Sequence, residues 1–356
     1  MNYPIFKSDC VHFRGDIPCR PHKEFGVHCE TCEFYKSKKD IILMIKLGAV
    51  GDVIRTTPLL HRIWADYPES RVWWLTLSPD VVPKKVDKVF DFSLESMLTI
   101  KNSNYKIIIN LDKDVHACAL TSSLNADKKF GFVLESGKPA PVNAFAYHKF
   151  MTGIFDDVNR ENTKSYMEEM FEIVGWKFAG EEYILDIDDS NKWNIPNNNK
   201  SIIGLNTGCG ARWTSRLLPD ESWISLINLL QQNSFFPLLL GGKQEDEKNK
   251  YFSEITGAYY PGYFKLPQFV SLINQCETVI TAVTMGLHIA IALKKNIVLI
   301  NNIFNPNEFE LYGRGVIVSP EKECTCFFSP KCINPNYFCL DHLKPETLFK
   351  AIENFY

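Results

Sequence analysis

The sequence predicts an α/β protein made of two doubly wound domains that face a common cleft. Apolar runs suited to buried strands recur about every 30 residues, which is the spacing of β–α–β units. A polar stretch at 188–201 interrupts this pattern once and has the composition of an interdomain linker. The pattern then restarts. Because such folds bind ligands at the carboxyl ends of their strands, the two domains would hold two substrates on opposite walls of the cleft.

The individual elements follow from these apolar runs. In the first half, strands are predicted at 41–46, 71–76, 106–110 and 128–133. In the second half, strands are predicted at 202–206, 237–240, 278–281 and 297–300, with helices around 221–232, 267–275, 285–294 and 345–356. The chain is thus divided into a cysteine-rich metal-binding segment, two Rossmann-like domains and a C-terminal helix: 1–38, 39–190, 200–340 and 341–356.

The composition is that of a soluble globular protein, with 45% apolar and 23% charged residues. A net charge of −3 argues against a dedicated nucleic-acid-binding protein. The N-terminus has no signal-peptide pattern, and the most apolar helical stretch, 285–293, is too short to span a bilayer. We therefore expect a cytoplasmic protein whose contact with a membrane, if it has one, is peripheral.

A glycine loop follows the first strand and ends at an acid. Gly48, Ala49 and Gly51 lie between the strand at 41–46 and Asp52. A buried strand that leads through a glycine turn into a helix is a common site for charged small molecules. The glycine spacing is not the G-x-G-x-x-G of dinucleotide-binding proteins. Asp52 is either the N-cap of the helix or a carboxylate that reaches a ligand, and the local sequence favours neither.

A proline soon after this loop leaves two interpretations of the helix. Either Thr57 caps a helix that has Pro58 at its first position, or a helix that begins near Asp52 is kinked at the proline. Both interpretations keep Asp52 at the carboxyl end of the first strand.

The second half contains a glycine segment suited to bind an anion. Glycines and arginines follow the strand at 202–206, and both backbone N–H groups and guanidinium groups bind phosphate oxygens. The alternative is a glycine turn followed by surface arginines. The candidates in this segment are Thr207, Gly208, Gly210, Arg212 and Arg216.

A predicted helix start after the strand at 278–281 is a second candidate anion site. Thr284 is a candidate N-cap, and the N–H groups of Met285 and Gly286 follow it. His288 lies further along this helix, where it either reaches a phosphate or packs with its apolar neighbours.

One acid follows a buried strand and two glycines between these two segments. This residue, Glu245, is placed to accept hydrogen bonds from ribose hydroxyls. The alternative is a solvated carboxylate at a helix start, which is a common arrangement.

Eleven cysteines in a cytoplasmic chain are not expected to form disulfides. Eight of them fall into two groups near the ends: Cys10, Cys19, Cys29 and Cys32, then Cys324, Cys326, Cys332 and Cys339. Four thiolates satisfy a tetrahedral ion, so we predict a structural Zn²⁺ in the N-terminal group and a second metal in the C-terminal group. The alternatives are iron, an iron–sulfur cluster, or ligands mixed between the groups.

The other metal-binding residue types receive a simpler interpretation. Four cysteines complete the N-terminal set, so the nearby histidines are interpreted as surface residues: His12, His22 and His28. The scattered cysteines are interpreted as small apolar residues: Cys118, Cys209 and Cys276.

Taken together, the motifs resemble those of glycosyltransferase family 9, which contains the ADP-heptose:lipopolysaccharide heptosyltransferases. The likeness runs over 41–320 through KLGAVGDVIRTTPLLHRIWADYP, LNTGCGAR, RLLPDESW, LLLGGKQED and VTMGLHIAIALKK. It implies a GT-B fold, in which two Rossmann-like domains face a cleft. It also implies an inverting transfer of sugar, without a catalytic metal, from a nucleotide diphosphate donor such as ADP-heptose to a glycan or glycolipid acceptor of lipopolysaccharide biosynthesis.

The resemblance assigns roles to three of the candidates. Asp52 is the base that takes the proton of the acceptor hydroxyl. Arg216 stands where the family usually has a lysine that contacts donor phosphate, and Glu245 stands where an acid contacts the nucleoside.

One departure from the family pattern concerns the donor sugar. The family's helix-opening motif is D-[ST]-G-x-x-H, and here its acid is replaced by Val283. The resemblance ties that acid to the donor sugar, so Glu308 and Glu310 are candidates to replace its hydroxyl contacts. Two other functions share these features. One is a nucleotide-sugar epimerase, and the other is a metal-stabilised binding protein whose transferase site has degenerated.

Overall fold

Two mostly parallel β-sheets form the centre of the protein, one in each half of the chain. The structure is a computed structural model that describes residues 3–188 and 190–356. We call the first sheet and its helices the N-terminal lobe, and the second sheet and its helices the C-terminal lobe. In the described chain, no helix combines the length and apolar character needed to cross a bilayer.

The sheet of the N-terminal lobe has the strand order β3-β2-β1-β4-β5-β6. Its strands are β1 Ile41–Ile45, β2 Arg71–Leu75, β3 Lys88–Phe90, β4 Tyr105–Asn110, β5 Ala126–Glu135 and β6 Lys138–Pro141. All neighbours are parallel except β5 and β6, which form an antiparallel pair. The central strand β1 is buried from Ile42 to Ile45, as expected for a parallel strand covered on both faces.

The sheet of the C-terminal lobe is parallel throughout, with the order β11-β10-β9-β7-β8. Its strands are β7 Ile202–Asn206, β8 Phe236–Leu240, β9 Thr278–Ala282, β10 Asn296–Ile300 and β11 Gly315–Val318.

Helices connect the strands in both lobes. Those before the second sheet are α1 Arg20–Phe25, α2 Val50–Ile54, α3 Leu59–Asp66, α4 Leu94–Lys101, α5 Val115–Ser123, α6 Tyr147–Met151, α7 Asp156–Glu161 and α8 Tyr166–Ile173. Those of the C-terminal half are α9 Asp220–Gln232, α10 Asp246–Thr256, α11 Leu266–Ile273, α12 Met285–Ala292 and α13 Pro345–Glu353. One apolar cluster extends across both lobes and includes Val53 of α2 and Leu287 of α12.

The predicted strands and helices are all present, with ends shifted by no more than a few residues. The sequence patterns missed β3, β6 and β11, which are short edge strands, and the polar helix α10. Of the predicted linker at 188–201, Asp189 lies outside the described residues, and 190–201 contains no helix or strand. This stretch is anchored, because Trp193 Nε1 donates a hydrogen bond to Ser271 Oγ at 3.1 Å.

The proline near the glycine loop separates two helices. Helix α2 ends at Ile54, and α3 begins directly after Pro58. The prediction that Thr57 caps the second helix is wrong, because its hydroxyl donates to the Ile54 carbonyl at 2.7 Å and accepts from Ile184 N at 2.9 Å. The other interpretation, a helix near Asp52 that the proline interrupts, describes the fold better.

Candidate active site

The candidate base lies on the first turn of α2, at the carboxyl end of the central strand β1. Residue 49 is the N-cap of this helix, and Asp52 is its third residue. The N-cap interpretation of Asp52 is therefore wrong. Its side chain remains 34% exposed, so the carboxylate is accessible from solvent. The loop before it contains a cis peptide bond between Gly48 and Ala49.

Two cations contact the Asp52 carboxylate. Arg55 Nη2 lies 3.0 Å from Oδ1, and Lys46 Nζ lies 3.9 Å from Oδ2. The same Lys46 ammonium is 3.3 Å from Asp112 Oδ2. Burial raises the pKa of Asp52, but the charges of Arg55 and Lys46 outweigh it, so the pKa lies below its usual value. The carboxylate is therefore ionised at neutral pH, as a general base must be before it accepts a proton.

Helix α12 of the C-terminal lobe packs directly against α2. A Cβ at position 51 would lie only 2.5 Å from His288 Cδ2, so a glycine is needed there for this approach. The His288 ring is buried and stacks on Tyr183 with 6.2 Å between ring centroids. Burial and the nearby Arg55 charge lower the pKa of His288 to about 3, so the imidazole is neutral. His288 thus lies in the contact between the lobes.

The start of α12 is held by a polar cluster. Thr284 is its N-cap and accepts a hydrogen bond from Gly286 N at 3.1 Å. Asn206, the last residue of β7, donates to the hydroxyls of Thr281 at 2.8 Å and Thr284 at 2.9 Å. These bonds fix the first turn of α12 against the carboxyl end of the second sheet. The first turn of a helix is a common anion site because its N–H groups have no partner within the helix, and here the N–H of Gly286 is bonded to the Thr284 cap.

Arg216 lies beside this helix start. Its guanidinium donates to the carbonyls of Val283 and of Cys209, the latter at 3.3 Å. It also lies over the rings of Trp213 and Phe304, at 5.2 and 5.5 Å from their centroids. Its Nε is buried without a hydrogen-bond partner among the described residues. Burial lowers the pKa of Arg216, and no carboxylate within ion-pair distance offsets this among the described residues.

The glycine segment before Arg216 packs against Glu245. A side chain at Gly208 would overlap the Glu245 carboxyl group, whose Oε2 accepts from Gly242 N at 2.9 Å. The hydroxyl of Thr207 donates to Asn249 Oδ1 at 2.6 Å. Thr207 and Gly208 therefore pack closely against Asn249 and Glu245.

The remaining candidates of the C-terminal lobe lie as follows. Gly210 has a positive φ of 76°, and Arg212 is exposed beside Trp213. Glu308 Oε1 lies 2.7 Å from Arg55 Nη1 of the other lobe. Glu310 accepts a hydrogen bond from Tyr312 N at 2.7 Å. Both acids proposed to replace the missing family acid are thus engaged within the protein.

The matching family model decides the classification. The model of glycosyltransferase family 9 (heptosyltransferase) matches residues 95–338. The chain belongs to glycosyltransferase family 9. It is therefore a transferase of the heptosyltransferase type. A search of curated proteins found no match.

Solved structures similar to this family 9 chain share its α/β fold. The family 9 glycosyl transferase from Veillonella parvula has a TM-score of 0.69 and 17% identity over 88% of this chain and 96% of that one. E. coli heptosyltransferase WaaC with ADP-2-deoxy-2-fluoro heptose has a TM-score of 0.61 and 16% identity over 89% and 100%. The iron-containing dodecameric glycosyltransferase TibC from enterotoxigenic E. coli has a TM-score of 0.54 and 12% identity over 89% and 76%. Parallel sheets in two lobes agree with the predicted GT-B fold.

The N-terminal cysteines of this family 9 protein line one small cavity. Its volume is about 20 Å³, and its wall contains Cys10, Cys19, Cys29 and Cys32 together with His12. All eleven cysteines lie among the described residues, and none of them forms a disulfide. Among residues 3–188 and 190–356, no three His, Cys, Asp or Glu side chains are arranged so that they could hold a metal ion. The zinc sites therefore remain a prediction.

The C-terminal cysteines also lie together. Cys326 Sγ is 3.7 Å from Cys332 Sγ and accepts a hydrogen bond from Ile333 N at 3.2 Å. Cys324 Sγ accepts from Cys326 N at 3.4 Å, and Cys339 Sγ accepts from Asn302 Nδ2 at 3.2 Å. Burial raises the pKa of Cys324 to about 12 and also raises that of Cys332, whereas backbone N–H groups outweigh burial at Cys326 and lower its pKa. Outside the two groups, Cys118 and Cys276 are buried and Cys209 is half-buried.

The cysteine loop of the transferase is joined to the turn that carries Arg216. Ser215 donates its N–H to the Pro330 carbonyl at 3.2 Å and its hydroxyl to the Ser329 carbonyl at 2.6 Å. Asn302 Nδ2 also donates to the Ser215 carbonyl, at 2.8 Å. Position 215 therefore connects the cysteine loop to the candidate phosphate-binding arginine.

Sequence reasoning missed the cations around the candidate base. Lys46 directly follows β1 and is buried, and Arg55 lies one helical turn after Asp52. Both residues are close to the glycine loop in the sequence, so their proximity to Asp52 could have been predicted. No local pattern identifies Tyr166, whose ring lies 3.4 Å from the Arg55 guanidinium.

Proposed function

We propose that this family 9 transferase moves a sugar from a nucleotide diphosphate donor, ADP-heptose or a related compound, to a glycan or glycolipid acceptor. The residues at 39–190 would form the acceptor domain, and those at 200–340 the donor domain. The observation that carries the proposal is the ionised carboxylate of Asp52, partly exposed at the contact with α12. The helix that carries this acid packs against α12 of the other lobe, at Gly51 and His288.

The C-terminal lobe would bind the diphosphate. Arg216 and the first N–H groups of α12 lie side by side at the carboxyl end of the second sheet, and the glycine segment at 207–210 borders them. Negative charge grows on the departing diphosphate in the transition state. Donors that are already in place stabilise that charge without reorganisation, which lowers the barrier. Glu245 beside the glycine segment would contact the nucleoside.

The N-terminal lobe would bind the acceptor. The loop of Gly48, Ala49 and Gly51 would place an acceptor hydroxyl within hydrogen-bond reach of Asp52. Asp52 takes the hydroxyl proton while the oxygen attacks the anomeric carbon and the nucleotide diphosphate leaves from the opposite face. This single displacement inverts the anomeric configuration. A cytoplasmic enzyme of this kind would meet a glycolipid acceptor at the inner face of the membrane.

A screen of nucleotide diphosphates by thermal shift tests the donor assignment. We expect one nucleotide, ADP if the donor is ADP-heptose, to raise the melting temperature. Saturation at 100 times Kd stabilises the folded state by about 2.7 kcal/mol. Binding to none of ADP, GDP, UDP, CDP or dTDP would contradict the proposal and favour a degenerate binding protein. Conversion of the donor sugar without any acceptor would favour an epimerase instead.

We also propose a structural Zn²⁺ ion in each cysteine group. The support is that four cysteines line one cavity at the N-terminus, and that two sulfurs of the C-terminal group lie 3.7 Å apart with an N–H donor directed at one of them. Elemental analysis of freshly purified protein is expected to find about one ion per four clustered thiols. Iron in place of zinc would support the alternative, since TibC is iron-containing. Absence of metal would contradict the metal assignment for both groups.

A further inference from the structure

Arg55 contacts acids from both lobes. It lies on α2, and its guanidinium is bound to Asp52 Oδ1 at 3.0 Å and to Glu308 Oε1 at 2.7 Å. These two acids are far apart in the sequence and belong to opposite lobes. The Arg55 side chain is only 13% exposed, and the Tyr166 ring covers one face of its guanidinium at 3.4 Å. Arg55 therefore forms a bridge between the candidate base and the donor lobe.

The partner of Arg55 in the C-terminal lobe is itself fixed to the N-terminal lobe. Asn305 Nδ2 donates to the carbonyls of Asn159 at 2.6 Å and Asn162 at 2.7 Å. Asn307 Nδ2 donates to the Asn162 carbonyl at 3.1 Å. The short turn at 306–308 therefore rests on the N-terminal lobe, with Glu308 held at its end.

The bridge depends on both of its acids. Burial lowers the pKa of Arg55, but Asp52, Tyr166 and Glu308 raise it well above its usual value. A buried cation is costly unless it is paired, so loss of either acid leaves part of the charge uncompensated. The Nε atom has no hydrogen-bond partner among the described residues, so the two terminal nitrogens and the ring hold the group.

We propose that Arg55 is a positioning residue, which holds the Asp52 carboxylate in the cleft only while Glu308 of the donor lobe is in contact. Asp52 would then be placed for catalysis only when the two lobes are in contact. The expected effect of Arg55 on turnover rests on the proposed function. The ion pairs of Arg55 with Asp52 and Glu308 do not. The charged and titratable groups around Asp52 are Lys46 with its partner Asp112, Arg55, Tyr166, His288 and Glu308.

Titration of Asp52 in two variants tests the bridge without an activity assay. Aspartate carboxyl carbons are followed by ¹³C NMR, and the Asp52 signal is assigned from its loss in Asp52→Asn. Arg55→Met removes a cation and is expected to raise the pKa of Asp52 by about 1–3 units. Glu308→Gln is also expected to raise it, by less, because the proposal makes the contact of Arg55 with Asp52 depend on Glu308. Removal of a nearby negative charge without release of Arg55 would lower the Asp52 pKa instead, and that result would contradict the proposal.

Hydrogen exchange measured by mass spectrometry tests the link across the lobes. Glu308→Gln is expected to speed exchange of the amides at 50–58, and Arg55→Met that of the amides at 303–310. Arg62→Met is the matched control, because Arg62 has an ion pair with Asp66 at 3.1 Å and a ring contact with Trp176 away from the bridge. Arg55→Lys keeps the charge and is expected to lie between wild type and Arg55→Met.

The proposal is overturned if Arg55→Met changes neither the Asp52 titration nor exchange at 303–310. It is also overturned if Glu308→Gln leaves exchange at 50–58 as in the wild type. In transfer assays, Arg55→Met is expected to lower kcat by about 10²-fold with less change in KM, and to move the acidic limb of the pH profile upward. If Asp52→Asn keeps full turnover while the titration and exchange results hold, the base assignment fails and the bridge stands.

Discussion

An Asp52→Asn variant is expected to lose about 10²–10⁴-fold in turnover while it keeps its fold. The amide has nearly the same size as the carboxylate but cannot take a proton from the acceptor hydroxyl. Asp52 is partly exposed, so the substitution leaves no buried cavity. Transfer of labelled sugar at saturating donor measures the loss, and the melting temperature reports on the fold.

The control for this variant is Asp66→Asn. Asp66 is an exposed acid at the end of α3 and pairs with Arg62 at 3.1 Å, as Asp52 pairs with Arg55. This control is expected to transfer sugar at the wild-type rate. A folded and fully active Asp52→Asn protein would refute the base assignment.

An Arg216→Met variant is expected to lower kcat/KM for the donor by about 10²–10³-fold. Arg216 is a nearly buried cation beside the start of α12, and its Nε has no partner among the described residues. Its removal takes away positive charge where the diphosphate would leave. Steady-state kinetics and calorimetry with the nucleoside diphosphate measure the loss.

The conservative change at the same position separates charge from packing. Arg216→Lys is expected to keep most of the activity, because an ammonium still neutralises phosphate oxygens. Arg62→Met again serves as the control, since it removes an arginine that lies over an aromatic ring elsewhere. Equal losses in Arg216→Lys and Arg216→Met would show that the packing of the guanidinium matters rather than its charge.

The central parts of the fold were predictable from the sequence. Strands such as β1 and β7 are short, nearly uninterrupted apolar runs, because both faces of a parallel sheet are buried. Edge strands need not be apolar along their whole length. β6 contains two prolines in four residues and pairs on one side only, so no apolar run identifies it.

The candidate site was predictable only where it is local in sequence. The glycine loop, Asp52 and the N-cap at Thr284 come soon after predicted strands, so the local sequence is enough to predict them. The pairing of Arg55 with Glu308 depends on how the lobes meet, which no local pattern encodes. The role of Gly51 as the point where His288 approaches α2 is hidden for the same reason.

The two hydrogen bonds from Ser215 to the cysteine loop have a practical consequence. We expect oxidation or alkylation of the sulfurs at the C-terminus to move the loop that Ser215 contacts, and with it the turn that carries Arg216. On the proposed function, a preparation handled in air is expected to be well folded by spectroscopy and yet to bind the nucleoside diphosphate poorly. The protein should therefore be purified under reducing conditions before its affinity for a donor is measured.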